Sequence, residues 1–133
     1  MNQTLIIVPT YNERESLPRI AAKLLSLPVA VDVLVVDDNS PDGTGKIADE
    51  LAAKHPQVHV LHRACKEGLG RAYLAGFHWA LEKNYEFIFE MDCDFSHDPD
   101  EIPNFLKAVE NADLVIGSRY SGGAPCKPSI LKP

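Results

Sequence analysis

Asp92-Cys93-Asp94 is the string whose residue types and spacing most directly suggest chemistry. In extended backbone, residues two apart project to the same side, so the two carboxylates converge while Cys93 turns inward. Acids that close repel unless a proton or cation lies between them. A hard divalent cation, Mg²⁺ or Mn²⁺, suits such a pair. Mg²⁺ keeps waters or takes phosphate oxygens, so a diphosphate is the natural third component. An isolated D-x-D is equally compatible with a solvated acidic loop in which Asp94 or Ser96 caps the next segment. Placement behind a buried strand favours the metal.

Other polar clusters follow apolar runs in the same way. In Pro9-Thr10-Tyr11-Asn12-Glu13, Tyr11 can stack on a flat base, and Glu13 can hold a hydroxyl or a guanine edge. Asn12 as a helix cap, with Glu13 complementing the helix dipole, is a compatible second reading. Asp37 and Asp38 end another run and face opposite ways. One of them can look into a cleft and accept from a base N–H or a ribose hydroxyl. The stretch 39–44, Asn-Ser-Pro-Asp-Gly-Thr, reads as turn and cap chemistry. Arg119, in Ser118-Arg119-Tyr120, is the one cation at a predicted strand end. Its fork suits a diphosphate, though a surface arginine fits equally. Gly68 and Gly70 permit close backbone approach to phosphate or simply a tight loop into a helix. His97 can orient a carboxylate or be an ordinary loop histidine. Tyr73, Phe77 and Trp79 read as partly core.

These clusters need a scaffold that gathers them. Short apolar runs at 5–9, 31–36, 58–61, 87–91 and 114–117 read as strands buried on both faces. Segments of helical period lie between them at about 13–26, 45–54, 69–83 and 101–110. Asp98-Pro99-Asp100 is a helix-start signature for the last of these. The alternation implies an α/β domain with a mostly parallel sheet flanked by helices, and such sheets bind ligands outside the carboxyl ends of their strands. The domain is expected over 1–123. The tail 124–133, holding Pro125, Pro128 and Pro133, is expected to be irregular or disordered and not to continue the sheet.

Composition narrows the function. The 133 residues suffice for one core, and a net charge of −6 without a basic face argues against nucleic acid as a partner. Cys65, Cys93 and Cys126 have no paired spacing, which fits a reducing compartment and argues against zinc. No run approaches the ~20 apolar residues needed to cross a bilayer. A soluble cytoplasmic protein is expected.

The ordered set I-V-P-T-Y-N-E, V-V-D-D-N-S-P-D-G-T, G-L-G-R-A-Y-L-A-G-F, M-D-C-D-F-S-H-D-P and G-S-R-Y, from about Leu5 to Gly123, resembles family 2 glycosyltransferases, most closely the dolichyl- and polyprenyl-phosphate mannosyltransferases. The resemblance implies a Rossmann-like GT-A nucleotide-sugar-binding domain, incomplete here. It also implies transfer of a hexose, mannose from GDP-mannose, onto a polyprenyl or dolichyl phosphate with inversion. Pro9, Tyr11, Glu13, Asp37, Asp38, Asp92 and Arg119 would hold the nucleotide sugar. Asp92, Asp94 and Ser96 would hold Mg²⁺ or Mn²⁺, and Asp94 and Arg119 would act in catalysis. Ser96 stands where relatives often carry Gln, so it would reach the metal through water. The lipid acceptor would bring the protein to the cytoplasmic face of a membrane. The family's chain continues well beyond this length, so a shortened chain able to bind donor but crippled in transfer is expected. A donor-binding module without activity is the alternative. A haloacid dehalogenase-type phosphatase using Asp92 fits the D-x-D-x-S string less well, because three strands precede it and no second acid pair comes after it. A receiver domain would need an acid pair after the first strand and a lysine after the last, and Pro9-Thr10 and Ser118-Arg119 do not provide them.

Overall fold

The computed structural model describes residues 2–94, 98–108, 114–115 and 129–131. Strands β1 (Thr4–Thr10), β2 (Asp32–Asp37), β3 (Val58–His62), β4 (Phe87–Glu90), β5 (Leu114–Val115) and β6 (Ser129–Leu131) form one sheet in the order β3-β2-β1-β4-β6-β5. The first four are parallel. They are joined through α1 (Ser16–Leu25), α2 (Thr44–Lys54) and α3 (Leu69–Leu81). A 3-10 turn, Pro99–Glu101, leads into α4 (Ile102–Ala108).

Strand order follows from handedness. Right-handed crossovers carry β1 to β2 to β3 in one direction, with α1 and α2 on one face. The chain then returns to pair β4 with the other edge of β1, which puts α3 on the opposite face. Alternation along the strands sorts the core accordingly. Ile6, Val8, Val33, Val35, Phe89 and Met91 pack with Leu17, Ile20, Leu24, Ala48, Ile102 and Phe105. Leu5, Ile7, Leu34, Val36 and Ile88 pack with Ala72 and Ala80. Each fully buried Leu or Ile stabilises this arrangement by about 1.5–3 kcal/mol. α3 comes very close to β1: a Cβ placed on Gly76 would lie 2.7 Å from Cγ2 of Ile7. Glycine alone permits that approach.

Two expectations change. α1 begins at Ser16, later than expected, and Asn12 does not cap it. Asn12 has φ 56°, outside helical space, and bends the chain where β1 ends. The expectation that the proline-rich tail stays out of the sheet also fails. Ser129–Leu131 pairs antiparallel with β4 and β5. Proline removes only its own N–H, and the three residues of this strand, between Pro128 and Pro133, keep theirs for the open edge of β4. For the last helix the reading holds: Asp98 Oδ1 accepts from the Asp100 N–H at 3.0 Å, with Pro99 in the first turn.

Candidate active site

The strand order reverses between β1 and β4, and a crevice opens at such a switch point. The β1–β4 ladder ends at the Ile7–Glu90 pair, after which the Met91 N–H still reaches the Ile7 carbonyl at 3.0 Å. Pro9 lies beyond that pairing, where β4 asks nothing of its missing N–H. On the other side the ends stay stitched: Asp38 N–H to Thr10 O at 3.1 Å, and Arg63 N–H to Asp37 O at 2.8 Å.

A cavity of about 270 Å³ occupies the crevice, lined by Pro9, Thr10, Tyr11, Glu13, Asp38, Lys66, Gly68, Ala72, Asp92, Cys93 and Asp94. The two acids of the D-x-D string thus share one space with Tyr11, Glu13 and Asp38, while Cys93 is buried in the core as expected. Gly68, at φ 100°, turns the chain into α3 in a conformation that favours glycine.

Of the adjacent acids where β2 ends, Asp37 and Asp38, Asp38 is the one facing the cavity. Asp37 turns into the scaffold, contrary to its expected place beside the ligand. Its Oδ1 accepts from Thr10 Oγ1 at 2.8 Å and from Ser40 Oγ at 2.6 Å, and its Oδ2 accepts from the Ser40 N–H at 3.1 Å. The next turn is scaffold as read. Asp42 accepts from the Thr44 N–H at 3.0 Å and from the Thr44 hydroxyl. The same loop grips the one after β1. Ser40 Oγ accepts from Asn12 N–H and Thr44 Oγ1 from Glu13 N–H, both at 3.0 Å, and Asp42 Oδ2 from Arg14 N–H at 3.3 Å.

The segment after β3 supplies cations beyond those expected from the sequence. Arg63 bridges Asp38 at 3.2 Å and the more exposed Glu67 at 3.0 Å; with side chains 14% and 6% exposed, the Arg63–Asp38 pair is well shielded from solvent. Lys66 Nζ lies 4.5 Å from the centroid of the Tyr11 ring, a cation–π contact at the cavity wall. The rule that marks Arg119, a cation just past a strand end, marks Arg63 equally when it is applied to the third strand. Tyr73, read as core, also reaches the site: its hydroxyl donates to Asp92 Oδ1 at 2.9 Å. Arg119, Ser96 and His97 lie outside the described residues.

Negative charge accumulates here. Burial pushes the Glu13 carboxyl up, and the Asp94, Asp42 and Asp92 carboxylates add to this against a hydrogen bond from Ser16. Burial also raises Asp38, outweighing the Arg63 guanidinium, and raises Glu90 with help from Asp92. A raised folded-state value means the folded protein holds protons that the unfolded chain has lost. The stability from those protons is full below the ordinary carboxylate range and is lost as pH rises through the raised values. Asp42 feels slight desolvation, outweighed by hydrogen bonds from Thr44 and Arg14, and its opposite effect sets in only below about pH 4. The melting temperature in chelator is therefore expected to rise as pH falls from about 7 towards 5. Glu13→Gln should flatten that rise in a thermal-melt series.

Among the described residues no three carboxylates, thiols or imidazoles converge closely enough to hold a metal ion by themselves. Two carboxylates facing one cavity do fit Mg²⁺ or Mn²⁺ bound jointly with a diphosphate, since such ions keep few protein ligands. The crowding that raises Glu13 is the charge such an ion would offset.

Residues 5–130 match the family model described as Glycosyl transferase family 2. The chain belongs to that family. Among curated relatives it is 58% identical over 121 residues to an undecaprenyl-phosphate mannosyltransferase of Micrococcus luteus, covering 91% of this chain and 50% of that one. It is 56% identical over 123 residues to a polyprenol monophosphomannose synthase of Mycolicibacterium smegmatis, covering 91% and 46%. The chain thus spans about half the length of these relatives. Its fold matches, at TM-score 0.77 and 18% identity, a mannosyltransferase of Pyrobaculum calidifontis solved with GDP-Man and Mn²⁺, covering 98% of this chain and 44% of that one. The fold is GT-A, and the described residues hold part of it. Family membership leaves the phosphatase and receiver readings without support. No helix among the described residues is long and apolar enough to cross a membrane.

Proposed function

We propose that this chain is the donor-binding portion of a mannosyltransferase that takes GDP-mannose and serves a polyprenyl or dolichyl phosphate acceptor. The observation that carries this reading is the shared cavity of Tyr11, Glu13, Asp38, Lys66, Asp92 and Asp94 at the switch point of the sheet. The names of the relatives at 58% and 56% identity support mannose as the transferred sugar and a polyprenyl phosphate as acceptor, and the structural neighbour solved with GDP-Man and Mn²⁺ supports the donor class.

Each residue then has a task its chemistry allows. Tyr11 offers a ring face to the base, and Lys66, beside it, sets a positive charge against phosphate. Asp38, held by Arg63, accepts from a base N–H or a ribose hydroxyl, and Glu13 from a second donor on the nucleotide. Asp92 and Asp94 would hold Mg²⁺ or Mn²⁺ against the diphosphate, and Ser96 would assist through water. When bound, the cation supplies positive charge to the departing nucleoside diphosphate. Arg119 adds charge on the same group. Displacement at the sugar C1 proceeds with inversion. The acceptor phosphate is ionised at neutral pH, so no strong general base is needed; Asp94 is the residue that would serve as one. A lipid acceptor brings the reaction to a membrane surface, on the cytoplasmic side.

Titration calorimetry tests the donor assignment directly. GDP-mannose is expected to bind in the presence of Mn²⁺, to bind at least tenfold more weakly in chelator, and to be preferred over UDP-glucose. Equal affinities with and without metal would remove the role given to Asp92 and Asp94.

A further inference from the structure

Tyr73 is one of three aromatic residues of α3 that pack beside the core on that face of the sheet, the others being Phe77 and Trp79. Its hydroxyl reaches 2.9 Å from Oδ1 of Asp92, nineteen residues on. The contact is built by the fold. Asp92 continues the side of β4 that carries Ile88, and Ile88 faces α3. The close approach at Gly76 sets the distance of α3 from β1, and Tyr73 lies one turn earlier on the same helix. Ala72, its neighbour, lines the cavity. A neutral phenol can donate to a carboxylate, so the direction of the bond is fixed.

We propose that Tyr73 is a positioning residue for the donor's cation site: its hydroxyl sets the rotation of the Asp92 carboxylate through Oδ1. This rests on the reading of Asp92 and Asp94 as cation ligands. An oxygen that already accepts a hydrogen bond is a poorer partner in chelation, so Tyr73 disfavours two-oxygen binding by Asp92. Ca²⁺ readily takes carboxylates through both oxygens, whereas Mg²⁺ and Mn²⁺ favour compact octahedral sets. Tyr73 thereby also contributes to metal choice.

The test uses Tyr73→Phe, which keeps the ring and removes the hydroxyl. Mn²⁺ affinity is read in the presence of GDP from the electron paramagnetic resonance of free Mn²⁺, with Ca²⁺ as competitor. The variant is expected to bind Mn²⁺ about tenfold more weakly, within the range set by lost supporting hydrogen bonds. It should discriminate less against Ca²⁺ while melting close to the wild type. In an Asp92→Asn background the same change should have little further effect, because the two residues act as one unit. Unchanged affinity and unchanged Ca²⁺ competition in Tyr73→Phe overturn the proposal. An equal loss with and without the Asp92 carboxylate also overturns it, by assigning Tyr73 a purely structural part. A wild-type chain that binds no Mn²⁺ with GDP instead removes the cation-site reading on which the proposal stands.

Discussion

Replacing Asp94 or Asp92 by asparagine is expected to weaken Mn²⁺-dependent binding of GDP-mannose by roughly 100-fold, about 2.8 kcal/mol at 1.4 kcal/mol per decade. Both carboxylates face one cavity, where the proposed function has the cation meet the diphosphate. Loss of either leaves a doubly charged ion with too little compensation on the protein side. The melting temperature should move in the opposite sense. The charges of Asp94 and Asp92 help to raise Glu13, so both repel the Glu13 carboxylate in the metal-free protein. The Asp94→Asn chain should therefore melt at or slightly above the wild type in chelator, while losing the stabilisation that Mn²⁺ with GDP gives. Calorimetry paired with thermal melts reads both. Retained metal-dependent affinity in both single variants would remove the assignment.

Gly76→Val is expected to lower stability by about 2–4 kcal/mol, since overpacking alone costs about 1–3 kcal/mol. A Cβ at position 76 would already meet Cγ2 of Ile7 at 2.7 Å and its Cδ1 at 3.1 Å, and Ile7 is fully buried in the central strand. Neither side can give without moving α3 off β1. A β-branched residue adds further bulk towards the strand, which outweighs the roughly 0.3–0.5 kcal/mol of helix propensity gained on replacing glycine by valine. Urea denaturation measures the loss. Combining Gly76→Ala with Ile7→Ala should cost less than the sum of the two single changes, because the smaller strand residue vacates the space the new methyl needs. Strict additivity would show that the close approach is not what holds this position.

The scaffold was legible wherever apolar runs alternate with helical period, because strands covered on both faces must be apolar throughout. Leu5–Val8 and Val33–Val36 show this in the structure. Which acid of the Asp37–Asp38 pair faces the cavity was not legible. Alternation says that neighbours diverge, but the choice depends on where Thr10 and Ser40 offer hydrogen bonds. The reach of Tyr73 was hidden because an aromatic on a helix satisfies the core pattern by its ring alone, and only the coordinates reveal where its hydroxyl ends. Arg63 and Lys66 escape a reading that stops at the last apolar residue of the third strand. Strand β6 was hidden by the prolines around it. Their number suggests irregular chain, although three intervening residues suffice to extend a sheet edge.

The lacing of the loop after β2 onto the loop after β1 bears on the thermodynamics of recognition. Three backbone amides from Asn12 to Arg14 are already spoken for by Ser40, Thr44 and Asp42 before any nucleotide arrives. Little conformational entropy remains there to be surrendered on capture, so this wall of the pocket acts as a rigid mould rather than a closing hand. Under the proposed function, selectivity among nucleotides would be set on that side mainly by shape and hydrogen-bond complementarity.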